Sequence, residues 1–210
     1  MKNSNIQAII FDLDGTLLNS LEDIADCANQ TIEKFGAVPH PLEAYRYFVG
    51  NGLATLMQRV MPDQATREDL RSSVETFKQI YDLRWSQKTR PYPGVIDMLE
   101  TLQKRDVKIA ILSNKPDDFT QKCVKHFFPT ISFSAVAGKK DGIQPKPDPD
   151  STFKMLGRLM AEARRSMFVG DSSVDIMTGI NAGMTTVGVD WGFRTTIELK
   201  EAGADFIVSS

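Results

Sequence analysis

Residues 6–17 read Ile-Gln-Ala-Ile-Ile-Phe-Asp-Leu-Asp-Gly-Thr-Leu, an apolar run that ends in two carboxylates two positions apart. Side chains at i and i+2 of a strand project to one side, so Asp12 and Asp14 share one direction beyond the strand's end. Like charges held together are unfavourable unless a cation, hydrogen bonds or a shared proton offset them. Gly15 lets the chain turn sharply, and Thr16 adds a hydroxyl at the same mouth. An Asp-Gly turn after an edge strand would use the same residues. The remainder of the chain decides between the two.

Outward from that strand, residues 20–35 carry Leu21, Ile24, Ala25, Ala28, Ile32 and Phe35 at helical spacing and end at Gly36. Further helices are expected at 42–48, 53–60 and 66–85, with Gly50-Asn51-Gly52 between the first two. Pro91-Tyr92-Pro93-Gly94 leaves little room for regular structure. Beyond it the pattern alternates. Helices are predicted at 95–105, 117–127, 150–162, 173–182 and near 195–201, and strands at 107–112, 132–137, 167–169, 185–189 and 205–208. Strands alternating with helices indicate a parallel sheet covered on both faces. The expected fold is therefore α/β, a doubly wound parallel sheet interrupted by a helical insert. The chain stops close behind its last strand, so a terminal helix is expected to be missing.

The chain has 210 residues, 41% hydrophobic and 25% charged, enough for one core plus a smaller lobe. Its formal charge of −2 gives no basis for a nucleic-acid or anionic-membrane partner. The start passes within a few residues into the first strand, and no window reaches the roughly 18 apolar residues of a membrane span. A soluble, cytoplasmic protein, monomer or homodimer, is the expectation. Cys27 and Cys123 match no zinc spacing and read as small buried hydrophobes. Pro129 stands where a Cys-x5-Arg phosphatase loop starting at Cys123 would need arginine. His40 and His126 give no frame for a Ser-His-Asp triad.

Ligands of open parallel sheets bind beyond the carboxyl ends of the strands. The polar residues gather there: Asp12 and Asp14 after the first strand, Ser113-Asn114-Lys115 after 107–112, and Gly170-Asp171 after 167–169, with Asp175 one helical turn on. Lys146, framed by Pro145 and Pro147, stands in the polar loop before that last strand. Singly, Ser113 or Asp171 could cap a helix and Lys146 could be solvated. Together they bring carboxylates, a hydroxyl and an ammonium to one edge.

In that order FDLDGTL, SNK, the lysine of QPKPDP and VGDSSVDI resemble the four motifs of the haloacid dehalogenase superfamily, over residues 8–190. YFVGNG, SNKP, KPDPD and VGDSSVDI are similar to its phosphoglycolate phosphatase branch. The resemblance implies a magnesium-dependent phosphohydrolase with a Rossmann-like core, residues 1–17 and 89–210, and an inserted helical cap domain, residues 18–88. It implies that Asp12 attacks phosphorus to form an aspartyl-phosphate. Asp14 would protonate the leaving alcohol and later deprotonate the attacking water. Mg2+ would be held by Asp12, the backbone carbonyl of Asp14 and Asp171. Ser113, Asn114 and Lys146 would bind the phosphoryl oxygens, and Asp175 would orient Lys146 or stand, with Thr16, behind the ligands.

Dehalogenases lack the second aspartate, so Asp14 favours phosphoryl chemistry, and Thr16 leans towards hydrolysis over sugar-phosphate mutation. Gly50, Asn51 and Gly52 resemble the branch's specificity loop, although a plain helix-to-helix turn would read the same. Arg46 is a candidate for a substrate carboxylate. The expected substrate is a small phosphorylated metabolite, 2-phosphoglycolate first. A β-phosphoglucomutase-like mutase or a pyrophosphatase would use the same scaffold. A phospho-accepting receiver module shares the chemistry but lacks the insert.

Overall fold

In the computed structural model, which describes residues 6–209, β1 (Ala8–Phe11) is buried on both faces. That double burial is why it reads as unbroken apolar sequence rather than as an alternation. Ile9 and Phe11 pack with Val95 and Leu99 of α5 (Val95–Lys104) and Cys123 and Val124 of α6 (Asp117–Phe127). Ala8 and Ile10 lie in the opposite layer with Met155, Leu156 and Leu159 of α7 (Asp150–Leu159), and with Ala182 and Met184 behind α8 (Ser173–Asn181). The remaining strands of the sheet are β4 (Lys108–Pro116), β5 (Ala135–Lys139), β6 (Ser166–Gly170), β7 (Thr185–Val189) and β8 (Phe206–Val208). All six run parallel in the order β5-β4-β1-β6-β7-β8. A short helix, α9 (Thr196–Glu201), joins the last two.

The chain leaves β1 towards β4 and β5 and returns to β6 on β1's other side. The switch point therefore opens between the carboxyl ends of β1 and β6, where a ligand crevice forms.

Between β1 and α5 the chain builds α1 (Leu21–Glu33), α2 (Leu42–Phe48), α3 (Leu53–Val60) and α4 (Arg67–Arg84). Their apolar faces meet in a core of their own that includes Ile24, Ile32, Tyr45, Met57 and Phe77 and is joined by Phe119 and Phe193 from the sheet side. The outward and return passages are tied by an antiparallel two-residue ladder, β2 (Leu18–Asn19) with β3 (Arg90–Pro91). Beside it the buried Asp23 carboxylate accepts from the backbone N–H of Lys88 at 3.0 Å and from the N–H and hydroxyl of Thr89 at 2.8 and 2.7 Å.

Several elements differ from the sequence expectation. β4 continues past Leu112 to Pro116, because β5 pairs with it across a register shift between those residues. β5 itself begins at Ala135 rather than near 132. α7 stops at Leu159, where Met160 turns left-handed with φ 48°. Pro91 sits inside a ladder, which a two-residue edge pairing tolerates. Of the expected core segments, residues 1–5 and 210 lie outside the described residues. Cys27 and Cys123 are buried and free, and burial pushes their thiols up to about 12 and about 11. No described helix is long and apolar enough to cross a membrane.

Asp23→Ala strands buried backbone donors at the return passage. It is expected to lower unfolding free energy by about 2–3 kcal/mol, read as a shifted urea midpoint at unchanged slope.

Candidate active site

β1 ends at Phe11, and the next residue, Asp12, donates its backbone N–H to Val169 of β6 at 2.9 Å, which points the chain into the switch-point crevice. Gly15 follows with φ 87°, and a Cβ there would stand 2.3 Å from Asp171 Oδ2. Glycine is required twice over, for the turn and for the space the Asp171 carboxylate fills. Asp171 closes β6, its Oδ2 accepting from the Phe193 backbone at 2.7 Å and its Oδ1 from Thr16 Oγ1 at 3.4 Å. Asp175, in the first turn of α8, forms a capping box with Ser172, accepting from its N–H and hydroxyl at 3.1 and 2.7 Å. Its other oxygen accepts from Lys146 Nζ at 2.6 Å. Lys146, side chain 3% exposed, also stands 2.8 Å from Asp12 Oδ1.

Asp12, Asp171 and Asp175 bring carboxylate oxygens within 4.8 Å of one another. Burial pushes the Asp12 carboxyl up to about 6; Lys146 pulls it down, and the neighbouring Asp175 and Asp14 charges raise it again. The Asp171 carboxyl is raised well above the ordinary range by burial first, then by Asp175 and Asp12. Lys146 is raised too, because its two carboxylate partners outweigh burial. Lys146 is the one ammonium in contact with Asp12 and Asp175 among the described residues. Three buried carboxylates around one ammonium are a hard-oxygen donor set short of positive charge. It fits a small divalent cation such as Mg2+.

Asp14 faces the same mouth with different partners. It accepts from Ser20 Oγ at 2.6 Å and from Lys115 Nζ at 3.1 and 3.0 Å. Lys115 in turn donates to Tyr81 OH of α4 at 2.7 Å. Neither Lys115 nor Tyr81 was assigned a role from sequence. For Lys115 the signal was present: Ser113 and Lys115 are i and i+2 on one strand, the spacing that pairs Asp12 with Asp14. Tyr81 could be found only once the helices were packed. Ser113 lines the cleft, its hydroxyl accepting from the Lys115 N–H at 3.3 Å. Asn114 binds backbone on both sides: its Oδ1 accepts from Lys146 N at 2.8 Å, and its Nδ2 donates to the carbonyls of Lys146 at 3.1 Å and Gly50 at 3.0 Å.

The cleft lies between the strand ends and the insert, roofed by Ile24, Leu53, Leu56, Phe77 and Phe119. Gly50 and Gly52 border it, and a Cβ on Gly52 would come 3.3 Å from the Asn114 carbonyl. Asn51 is held elsewhere, its Oδ1 accepting from Arg59 at 2.9 Å. Arg46 pairs with Glu43 at 2.8 Å and donates to the Gly192 and Phe193 carbonyls at 3.1 and 3.4 Å. It is a tie between insert and core here. Arg194 answers from the core side, donating to the Val49 carbonyl at 2.9 Å.

A doubly wound sheet with buried carboxylates, a lysine and a hydroxyl at its switch point is the architecture of a hydrolase class. Residues 9–189 match the family model described as haloacid dehalogenase-like hydrolase, and the chain belongs to that family. It is 32% identical to a phosphoglycolate phosphatase of Haemophilus influenzae, over 98% of this chain and 95% of that one. A phosphoglycolate phosphatase of Psychrobacter arcticus is 31% identical, over 93% and 88%. A solved structure from Lactobacillus delbrueckii subsp. bulgaricus, assigned as a phosphoglycolate phosphatase, superposes with a TM-score of 0.92 at 31% identity, covering 98% of this chain and 95% of that one.

The raised carboxyls predict how a cation would act on stability. Between the ordinary 3.8 and the folded value of about 6, the folded Asp12 holds a proton that the unfolded chain has lost. Stability from this group therefore falls as pH rises across that window and stays low above it. Mg2+ is expected to raise Tm clearly at about pH 7.5 and far less at about pH 5, where it must displace protons. Scanning calorimetry with and without the ion checks this.

Proposed function

We propose that the chain hydrolyses small phosphomonoesters through an aspartyl-phosphate at Asp12, with 2-phosphoglycolate as first substrate. The observation that carries this reading is the buried Asp12 carboxylate, 2.8 Å from Lys146 and grouped with Asp171 and Asp175 at the sheet's switch point. Membership of a hydrolase family and phosphatase relatives along nearly the whole chain support it.

The contacts support the following roles. Asp12 supplies the attacking carboxylate, kept in place by the turn at Gly15. Lys146, anchored by Asp175, and the Ser113 hydroxyl hold phosphoryl oxygens, and Asn114 keeps the Lys146 backbone fixed. Asp14, tethered by Ser20 and Lys115, gives its proton to the leaving oxygen and takes one from the water that cleaves the intermediate. Asp12, Asp171 and the Asp14 backbone carbonyl would hold Mg2+, with Thr16 bracing Asp171 from behind. When bound, the ion offsets the negative charge of the phosphoryl group and of the carboxylates around it. Residues 18–88 act as the cap that shuts water out, and Gly50-Asn51-Gly52 forms its edge over the site. A small phosphorylated metabolite in the cytoplasm is the partner this reading requires.

Asp12→Asn is expected to reduce Mg2+-dependent phosphate release about 10³-fold or more while leaving the circular dichroism spectrum unchanged. Retained release would overturn the nucleophile assignment. Asp14→Asn is expected to slow an alkyl phosphate about 10²-fold or more. It should slow nitrophenyl phosphate much less, because that leaving group departs without a proton. Steady-state kinetics on both esters read the difference.

A further inference from the structure

Lys115 is a buried cation that the phosphoryl chemistry leaves over. Its side chain is 5% exposed, it lines the cleft, and its contacts are to Asp14 and Tyr81. In the proposed function the phosphoryl oxygens are assigned to Lys146, 2.8 Å from Asp12. Asp14 is the group that meets the leaving oxygen, so an ammonium about 3 Å from the Asp14 carboxylate lies beside whatever the first carbon of the leaving alcohol carries.

Tyr81 adds an independent observation. Its hydroxyl accepts from Lys115 at 2.7 Å, so its own hydrogen remains to be donated, and no acceptor for it exists among the described residues. The residue is 1% exposed and borders the same cleft. Burial pushes the phenol well above its ordinary range, so it stays a donor. The surroundings are otherwise apolar: Phe77 stacks on the Tyr81 ring at 5.2 Å, Phe119 meets it edge-on at 5.0 Å, and Leu53 and Leu56 complete the roof. The insert contributes no acidic side chain to the cleft lining. A cation and an idle O–H in a low-dielectric recess, with Asp14 the one acid paired to that cation and no acid on the insert side, form a receptor for an anion.

We propose that Lys115 and Tyr81 determine substrate specificity by binding a carboxylate on the carbon next to the ester oxygen, selecting phosphorylated 2-hydroxy acids over neutral alkyl phosphates. This rests on the phosphomonoesterase reading above. Lys115 supplies the charge, Tyr81 donates the second hydrogen bond, and the aromatic walls limit what else fits.

The test compares 2-phosphoglycolate with ethyl phosphate, which has the same chain length without the carboxylate, using the magnesium-loaded full chain. Wild type is expected to favour 2-phosphoglycolate in kcat/KM. Lys115→Met is expected to reduce that preference about 10²-fold. Tyr81→Phe, a change of one buried hydroxyl, is expected to reduce it about 10-fold, chiefly through KM for 2-phosphoglycolate. Lys115→Arg should restore part of the preference. If both variants slow the two esters by equal factors, Lys115 and Tyr81 only hold Asp14 and the inference is overturned. A wild type that hydrolyses both esters equally overturns it too but leaves the phosphatase reading standing. Phosphate release from neither ester would sink both.

Discussion

Three carboxylates, those of Asp12, Asp171 and Asp175, are buried within 4.8 Å of one another with one ammonium, Lys146, between two of them. Burial first, and then the neighbouring carboxylates, raise the carboxyls of Asp12 and Asp171. The surrounding features exist to hold this cluster. β1 and β6 run side by side so that both acids emerge at the switch point, Gly15 makes room for the second, and the Ser172 capping box fixes the third. Such a cluster of buried carboxylates suits a cation.

The insert completes the site from the other side. Its ties to the core are reciprocal: Arg46 of α2 reaches the Gly192 carbonyl, Arg194 reaches back to Val49, and Asn114 joins Gly50 to the Lys146 loop. Phe193, between the two arginine contacts, also donates its N–H to Asp171. The position of the helical insert is thus linked through one loop to a carboxylate of the charged cluster. The strand ends carry the charged groups of the cleft, while the insert contributes most of its apolar roof and Tyr81.

Much of this was legible along the chain. The doubly buried strand, the i, i+2 aspartates and the strand-end polar residues are local patterns, and local geometry suffices to read them. Taken singly Lys146 could be solvated, and the structure buries its side chain to 3% exposure. Other features were not legible for equally physical reasons. The contacts of Arg46 to Glu43 and to carbonyls of a loop far along the sequence are set by packing. β4 reads as ending at Leu112 because its last residues are polar, although pairing with β5 carries it to Pro116.

The sequence by itself determined the parallel α/β sheet, the helical insert after β1 and the inventory of strand-end groups, since each follows from side-chain period and residue chemistry within one segment. Only the tertiary structure decided which charges meet. Lys146 lies 29 residues from Asp175 and Lys115 lies 101 from Asp14, so their pairing depends on strand order and helix packing. The same packing joins Tyr81 to Lys115, which no periodicity could announce. Electrostatic partners are chosen by distance in space, and that distance is set by the fold as a whole.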